Sequence, residues 1–223
     1  MLFPALAIEA PANPAAVARL LAELAAFDLA IFVSSNAVEH GLTLLARVWP
    51  DAVPIAAVGA STAAALRRRG LACDVVPAGA DSESLLALSE LSGLGEGKRV
   101  LILRGEGGRE VLAERLRQQG AEVVYAECYR RVRPRADPSA LIARWESGGL
   151  HAVTVLSGET LDNLWAMLGE RGQRLLRRTP LFAPHPHIGQ RAAALGLIEV
   201  AITPPGDEGV LHGLGAWFAL HAR

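Results

Sequence analysis

Short apolar runs alternate with stretches of helical periodicity along nearly the whole chain. The clearest example runs from Gly97 to Arg131. Val100-Leu101-Ile102-Leu103, flanked by charge and glycine, reads as a buried strand. Arg104-Gly105-Glu106-Gly107-Gly108 forms a turn. A helix follows with Val111, Leu112 and Leu116 on one face and Arg109, Glu110, Glu114, Arg115 and Arg117 around the rest. Gly120 is placed to end that helix, and Ala121 to Tyr125 begin a strand that continues toward Tyr129. In open α/β sheets, ligands gather where strand ends meet helix starts.

The same grammar recurs on both sides of this unit. Leu6 to Glu9 reads as a strand, and Pro14 opens a helix carrying Val17, Leu20, Leu21 and Leu24. Leu29 to Val33 is a strand whose following Ser34-Ser35-Asn36 can cap a helix with Val38, Leu42 and Leu45 inward. Pro54 to Val58 is a strand, and Gly59-Ala60-Ser61-Thr62 turns it into a helix from Ala63 to Arg69. Asp74 to Pro77 is a short strand, followed by a helix carrying Leu85, Leu86, Leu88 and Leu91. Arg130 to Pro138 looks like a linker, and a helix around Leu141, Ile142 and Trp145 comes next.

Beyond it the pattern repeats. Val153 to Ser157 answers Ile31 to Ser34, and Leu161, Trp165 and Leu168 answer Val38, Leu42 and Leu45. Pro180-Leu181-Phe182-Ala183 answers Pro54-Ile55-Ala56-Ala57, 126 residues apart, and the same offset pairs Gly196 with Gly70 and Asp207 with Asp81. Strands alternating with helices, given twice, predict two related α/β domains with parallel sheets.

Composition narrows the class. In 223 residues, 22 Lys+Arg balance 23 Asp+Glu, which argues against a general nucleic-acid or membrane-surface protein. Arginine greatly outnumbers lysine, represented by Lys98, a bias that lowers the functional weight of each arginine. Cys73 and Cys128 stand far apart and build neither a disulfide framework nor a zinc site, which fits a reduced, cytoplasmic protein. Met1-Leu2-Phe3-Pro4 lacks the basic start of a signal peptide, and no apolar run reaches membrane-span length. Gly105-x-Gly107-Gly108 departs from the dinucleotide spacing, with no ribose-binding acid at the right distance.

The ordered set FVSSNAVE, AVGASTAAAL, KRVLILRGEGGRE, ECYRR and VLSGETL, with a terminal proline–acid–glycine helix, resembles the uroporphyrinogen-III synthase family over essentially the whole chain. The resemblance implies two flavodoxin-like α/β domains joined by a two-stranded hinge, one inserted in the other, with the active site between them. Residues 1–9 would hold the first hinge strand, 10–126 the inserted domain, 127–131 the second hinge strand and 132–223 the outer domain. Family members carry a strand–turn–helix with a threonine-arginine-proline turn before the first hinge strand. It is missing here, as it is from the internal repeat, and the expectation is a start placed too late in the gene.

The implied substrate is hydroxymethylbilane, a linear tetrapyrrole rich in carboxylate arms. The implied product is uroporphyrinogen III, formed by ring closure with inversion of ring D, through a spiro intermediate, and loss of water. The resemblance implies no cofactor, because electron-rich pyrroles expel the hydroxyl themselves, and a monomer is expected. Tyr129 matches the family's tyrosine and would donate to the leaving hydroxyl; a hinge-packing tyrosine is the plainer alternative. Ser34, Ser35, Asn36, Gly59, Ser61 and Thr62 would line the cleft and receive carboxylates at helix starts, although capping alone explains them equally. Arg104 and Arg109, beside Gly105, would pair with carboxylates or simply be solvated. Ser157 and Thr160 are the outer domain's counterparts. His185-x-His187 lacks further ligands for a metal, so these imidazoles are expected to face substrate carboxylates. The competing class is a two-domain ligand-binding or regulatory module without turnover. A flavin-binding electron carrier, which would be yellow, ranks behind it.

Overall fold

The computed structural model describes residues 3–79 and 81–221. The expected segments that begin at Met1-Leu2 and end at Ala222-Arg223 therefore extend outside the described residues. Contacts divide the chain into two compact units, one spanning Ile8–Val132 and the other formed by the residues up to Ala7 and from Arg133 onward.

The first unit is a five-stranded sheet. Its strands are β1 (Ala7–Glu9), β2 (Leu29–Phe32), β3 (Ile55–Ala57), β4 (Arg99–Gly105) and β5 (Glu122–Val132). They lie in the order β1-β5-β4-β2-β3, and β5, β4, β2 and β3 run parallel. β2 is followed in sequence by β3 on one side, and the chain then crosses to β4 on the other. The strand ends of β2 and β4 therefore open onto the point where winding reverses, the usual ligand crevice of such sheets.

Residue alternation assigns each strand's side chains to two cores. Ala30, Phe32, Ile55, Ala57, Leu101, Leu103, Ala126 and Cys128 face one core. The helices α1 (Pro14–Ala22), α2 (Ser35–Leu45) and α3 (Ala60–Arg68) cover it with Leu21, Val38 and Leu66. Leu29, Ile31, Ala56, Val100, Ile102 and Val123 face the other. There α4 (Ser82–Leu86), α5 (Ser89–Ser92) and α6 (Val111–Gln118) contribute Leu85, Leu91, Leu112 and Leu116. Apolar side chains on both faces explain why these strands read as continuous apolar runs.

Three local expectations are corrected. The strand expected at Asp74–Pro77 shrinks to a single parallel bridge, Val75 with Ala56, because Pro77 has no amide proton to continue a ladder. The helix expected through Leu85–Leu91 breaks into α4 and α5, with Leu88 extended at φ −76°, ψ 140° between them. The linker expected from Arg130 instead begins with strand, since β5 runs on to Val132 and Arg130 pairs with Glu9 of β1 at 2.9 Å.

The second unit has a parallel sheet of β6 (Val153–Thr154), β7 (Leu181–Ala183) and β8 (Val200–Ile202), in that order. Around it lie α7 (Ser139–Glu146), α8 (Gly158–Arg177), α9 (Pro186–Ala194) and α10 (Gly206–His221). Trp145, Leu161, Leu168, Leu176, Leu181 and Ile188 form its core. α8 is bent at Gly169, whose backbone is not helical. Among the described residues no helix is long and apolar enough to cross a membrane.

Candidate active site

Three strand ends of the first unit surround a cavity of about 290 Å³. Val33 and Ser34 follow β2, Val58 follows β3, and Arg104 and Gly105 end β4. Tyr125, Tyr129 and Arg131 come from β5, with Gly107, Gly108, Arg109 and Leu112 from the glycine turn and α6.

Tyr129 reaches the cavity through a β-bulge. Arg104 pairs with Glu127 but Gly105 pairs with Tyr129, so Cys128 is the extra residue. Strict alternation would turn Tyr129 away from the face that Cys128 occupies. The extra residue returns it, and both side chains join the same core. The Tyr129 ring lies against Gly105, where a Cβ would sit 2.7 Å from two ring carbons. Its hydroxyl is 3.1 Å from Ser34 Oγ, and either group can donate. Ser34 also accepts from the Ala37 amide at 3.1 Å, capping α2. One hydroxyl thus both starts a helix and steadies a buried phenol.

Arg104 enters from the opposite face of the sheet. Only 5% of the residue is exposed. Its Nη1 donates to Glu110 Oε1 at 2.9 Å and its Nε to the Gly105 carbonyl at 3.2 Å. Its Nη2 is buried and has no hydrogen-bond partner. Burying a guanidinium nitrogen without an acceptor is costly, and Arg104 is one of the residues that line the cavity. The Tyr125 ring lies 4.5 Å beneath the guanidinium, and the Tyr125 hydroxyl donates to Glu110 Oε2. Hydrogen bonds from Tyr125 and then Arg104 hold the Glu110 carboxyl below its ordinary range. Burial, and then the bond to Glu110, raise the Tyr125 phenol above its own. The pair is therefore a carboxylate and a neutral phenol at neutral pH.

A second cavity, about 340 Å³, lies beside the first and is lined by Ser34, Ser35, Asn36, Gly59, Ser61 and Thr62, with Val33 and Val58. Ser35 Oγ donates to the Ser61 carbonyl at 3.3 Å, linking the starts of α2 and α3. Gly59 occupies the cap position of α3, and Thr62 is buried. The expected residues of this unit thus fall around two neighbouring cavities. Arg109 points to the rim, where it pairs with Glu83.

The other four expected residues sit in the second unit, also after strand ends. Ser157 caps α8, accepting from the Thr160 amide at 3.1 Å, with the two hydroxyls 2.9 Å apart. His185 occupies the cap position of α9 without a side-chain capping bond, and its ring centroid lies 5.2 Å from that of His187. Among the described residues no three histidine, cysteine or acidic side chains gather to hold a metal.

Sequence reading missed Glu110 and Tyr125. Glu110 looked like one of several solvent-facing helix charges, and Tyr125 like an ordinary strand residue. The available signal was the pairing of Ile102 with Tyr125 on the strand beside β4, which puts an aromatic ring two residues from Arg104 on the same face.

The chain is a twice-built parallel α/β protein, with paired hydroxyls and a buried, partly unpartnered guanidinium in the strand-end crevice of one unit. The model of the family described as uroporphyrinogen-III synthase HemD matches residues 1–208. The chain belongs to that family. The uroporphyrinogen-III synthase of Salmonella typhimurium is 34% identical over 214 residues, covering 94% of this chain and 87% of that protein. That of Escherichia coli is 33% identical over 196 residues, covering 86% and 79%. A mutant uroporphyrinogen III synthase from the extremely thermophilic bacterium Thermus thermophilus shares the fold at TM-score 0.58, with 20% identity, covering all of this chain (100%) and 90% of that one. The uroporphyrinogen-III synthetase of Helicobacter pylori does so at 0.58 and 19%, covering 88% and 84%.

Proposed function

We infer that the chain is a cyclising lyase that converts hydroxymethylbilane to uroporphyrinogen III with loss of water. Family membership supports the activity. The single structural observation that carries the assignment of roles is the first cavity, which is lined both by the hydroxyl-paired Tyr129 and Ser34 and by Arg104, whose buried Nη2 lacks a partner.

In this reading Tyr129 donates its proton to the departing hydroxyl, which leaves as water, while Ser34 donates in turn to the phenolic oxygen. The cation left on the bilane is stabilised by its own pyrroles. Ring D is then attacked at its substituted carbon, giving the spiro intermediate whose reopening and reclosure invert that ring, and the ring D proton lost on final closure returns to the phenolate. The protein's main contribution is positioning, because free closure gives the uninverted isomer. Arg104 takes one carboxylate arm through Nη2. Arg109, Gly105 and the helix starts at Ser34, Ser35, Asn36, Gly59, Ser61 and Thr62 offer places for neighbouring arms. Ser157, Thr160, His185 and His187 are proposed to receive others. β1 and residues 127–131 are proposed as the hinge strands. Two free cysteines are in keeping with a reducing cytoplasm, and a monomer is proposed.

The test is to incubate the purified protein with hydroxymethylbilane made in situ, oxidise the products to porphyrins and separate isomers I and III. Isomer III in excess of the protein-free control supports the reading. Isomer I alone, from a folded chain, overturns it.

A further inference from the structure

Arg104 raises a problem that its role in binding does not answer. An arginine side chain has several rotatable bonds, and a carboxylate receptor is useful only if its fork is held in one place. Here the fork is held from three sides. Glu110 Oε1 takes Nη1, the Gly105 carbonyl takes Nε, and the Tyr125 ring underlies the guanidinium plane at 4.5 Å. Tyr125 also fixes Glu110 itself, since its hydroxyl occupies the carboxylate's other oxygen. Glu110 sits at the cap position of α6 yet makes no side-chain cap there; its carboxylate turns back to Arg104 instead.

What this arrangement leaves over is equally specific. Every polar atom of the guanidinium is committed except Nη2. Gly108 lies beside that nitrogen with φ +110°, and a Cβ there would come within 3.2 Å of it. Any larger residue there would press on this buried nitrogen, and glycine leaves it unpressed. Arg117 is a second cation over the Tyr125 ring, at 5.4 Å, but its own Nη2 donates to the Val123 carbonyl at 3.2 Å, so it does not duplicate the free donor.

We propose that Glu110 and Tyr125 are positioning residues that lock the Arg104 guanidinium so that its Nη2 presents a fixed donor to one carboxylate arm of the substrate. The proposal rests on the reading that Arg104 meets that substrate. Tyr125 acts twice, through its ring against the cation and through its hydroxyl on Glu110, and the two parts are separable because phenylalanine keeps the first and loses the second.

Two measurements on the intact chain test it. The first needs no turnover: ¹⁵N NMR of the arginine guanidinium groups. Wild type should show distinct, slowly exchanging Nη1 and Nη2 signals for Arg104, assigned by their loss in Arg104→Gln. Glu110→Gln and Tyr125→Phe should speed rotation at least tenfold. Unchanged rotation in both variants would overturn the proposal, whatever the enzyme assay gives. The second is steady-state formation of isomer III. Glu110→Gln should raise KM about tenfold and Tyr125→Phe about threefold, with kcat within twofold of wild type. Neither should add to the KM defect of Arg104→Gln, as residues acting through one group do. KM changes that persist undiminished in the Arg104→Gln background would show a merely structural role and overturn the proposal. An Arg104→Gln enzyme with wild-type KM, alongside faster rotation in the two variants, would instead overturn the reading of Arg104 as the substrate's receptor.

Discussion

At the scale of single residues, the proposed site rests on two side chains that reach one cavity from opposite faces of a sheet. Tyr129→Phe keeps the ring against Gly105 but removes the hydroxyl bonded to Ser34. We expect kcat for isomer III to fall about tenfold, below the usual general-acid contribution of about 10²–10⁴, because the pyrroles already drive the hydroxyl out. A wild-type kcat in that variant would remove Tyr129 from the proton path. Gly105→Ala asks a different question. A methyl group there meets the Tyr129 ring at 2.7 Å, so the ring must move. Overpacking of this kind costs about 1–3 kcal/mol, and urea unfolding should show that loss together with a kcat as low as that of Tyr129→Phe. Stability lost without activity would mean that the ring's place is unimportant. The cysteines offer a plainer check. Burial pushes the Cys128 thiol up to about 12 and raises that of Cys73 as well. A thiol reagent at pH 8 should therefore label Cys73 slowly and Cys128 only after denaturation, read by mass spectrometry of the labelled peptides.

At the scale of elements, what was legible in the sequence followed from periodicity, and what was not followed from departures from it. β3 and β7, and likewise α3 and α9, have bounds separated by the same 126 residues that relate Pro54 to Pro180. Gly70 and Gly196, paired by that offset, both have positive φ, 77° and 83°. A repeated apolar pattern folds the same way twice because the same positions must be buried. The bulge at Cys128 has no such signal. It depends on how two strands pair, and it decides which way Tyr129 faces. Glu110 was likewise unreadable, since a charge on a helix start looks alike whether it meets water or a buried arginine six residues back. The same dependence on pairing appears at the opposite end of the sheet. Asp28 precedes β2, accepts from the Arg99 amide at 2.8 Å and pairs with Lys98 at 2.8 Å. These contacts, the amide first, lower its carboxyl from the ordinary 3.8. A lowered value stabilises the fold above the ordinary range and stops doing so as pH falls through the folded value. The wild-type advantage over Asp28→Asn in urea midpoint should therefore hold at neutral pH and be lost progressively as pH falls below the ordinary carboxylate range. An advantage that persists undiminished in acid would show that the charge is not its source.

At the scale of the whole molecule, the two units share a plan but differ in chemistry. The first gathers an arginine with one unpartnered nitrogen, the phenol and the glycine turn around its strand ends. The second offers hydroxyl caps and two imidazoles at the equivalent places. The central claim is that the crevice of the first unit directs closure toward the inverted isomer. It is tested most directly by a single-turnover reaction with enzyme in excess over hydroxymethylbilane, run in parallel with wild type and Arg104→Gln and read as the ratio of isomer III to isomer I. Wild type should give isomer III almost alone, and Arg104→Gln should let spontaneous closure compete and isomer I rise severalfold. Identical ratios from the two folded proteins, or isomer I alone from wild type, would contradict it.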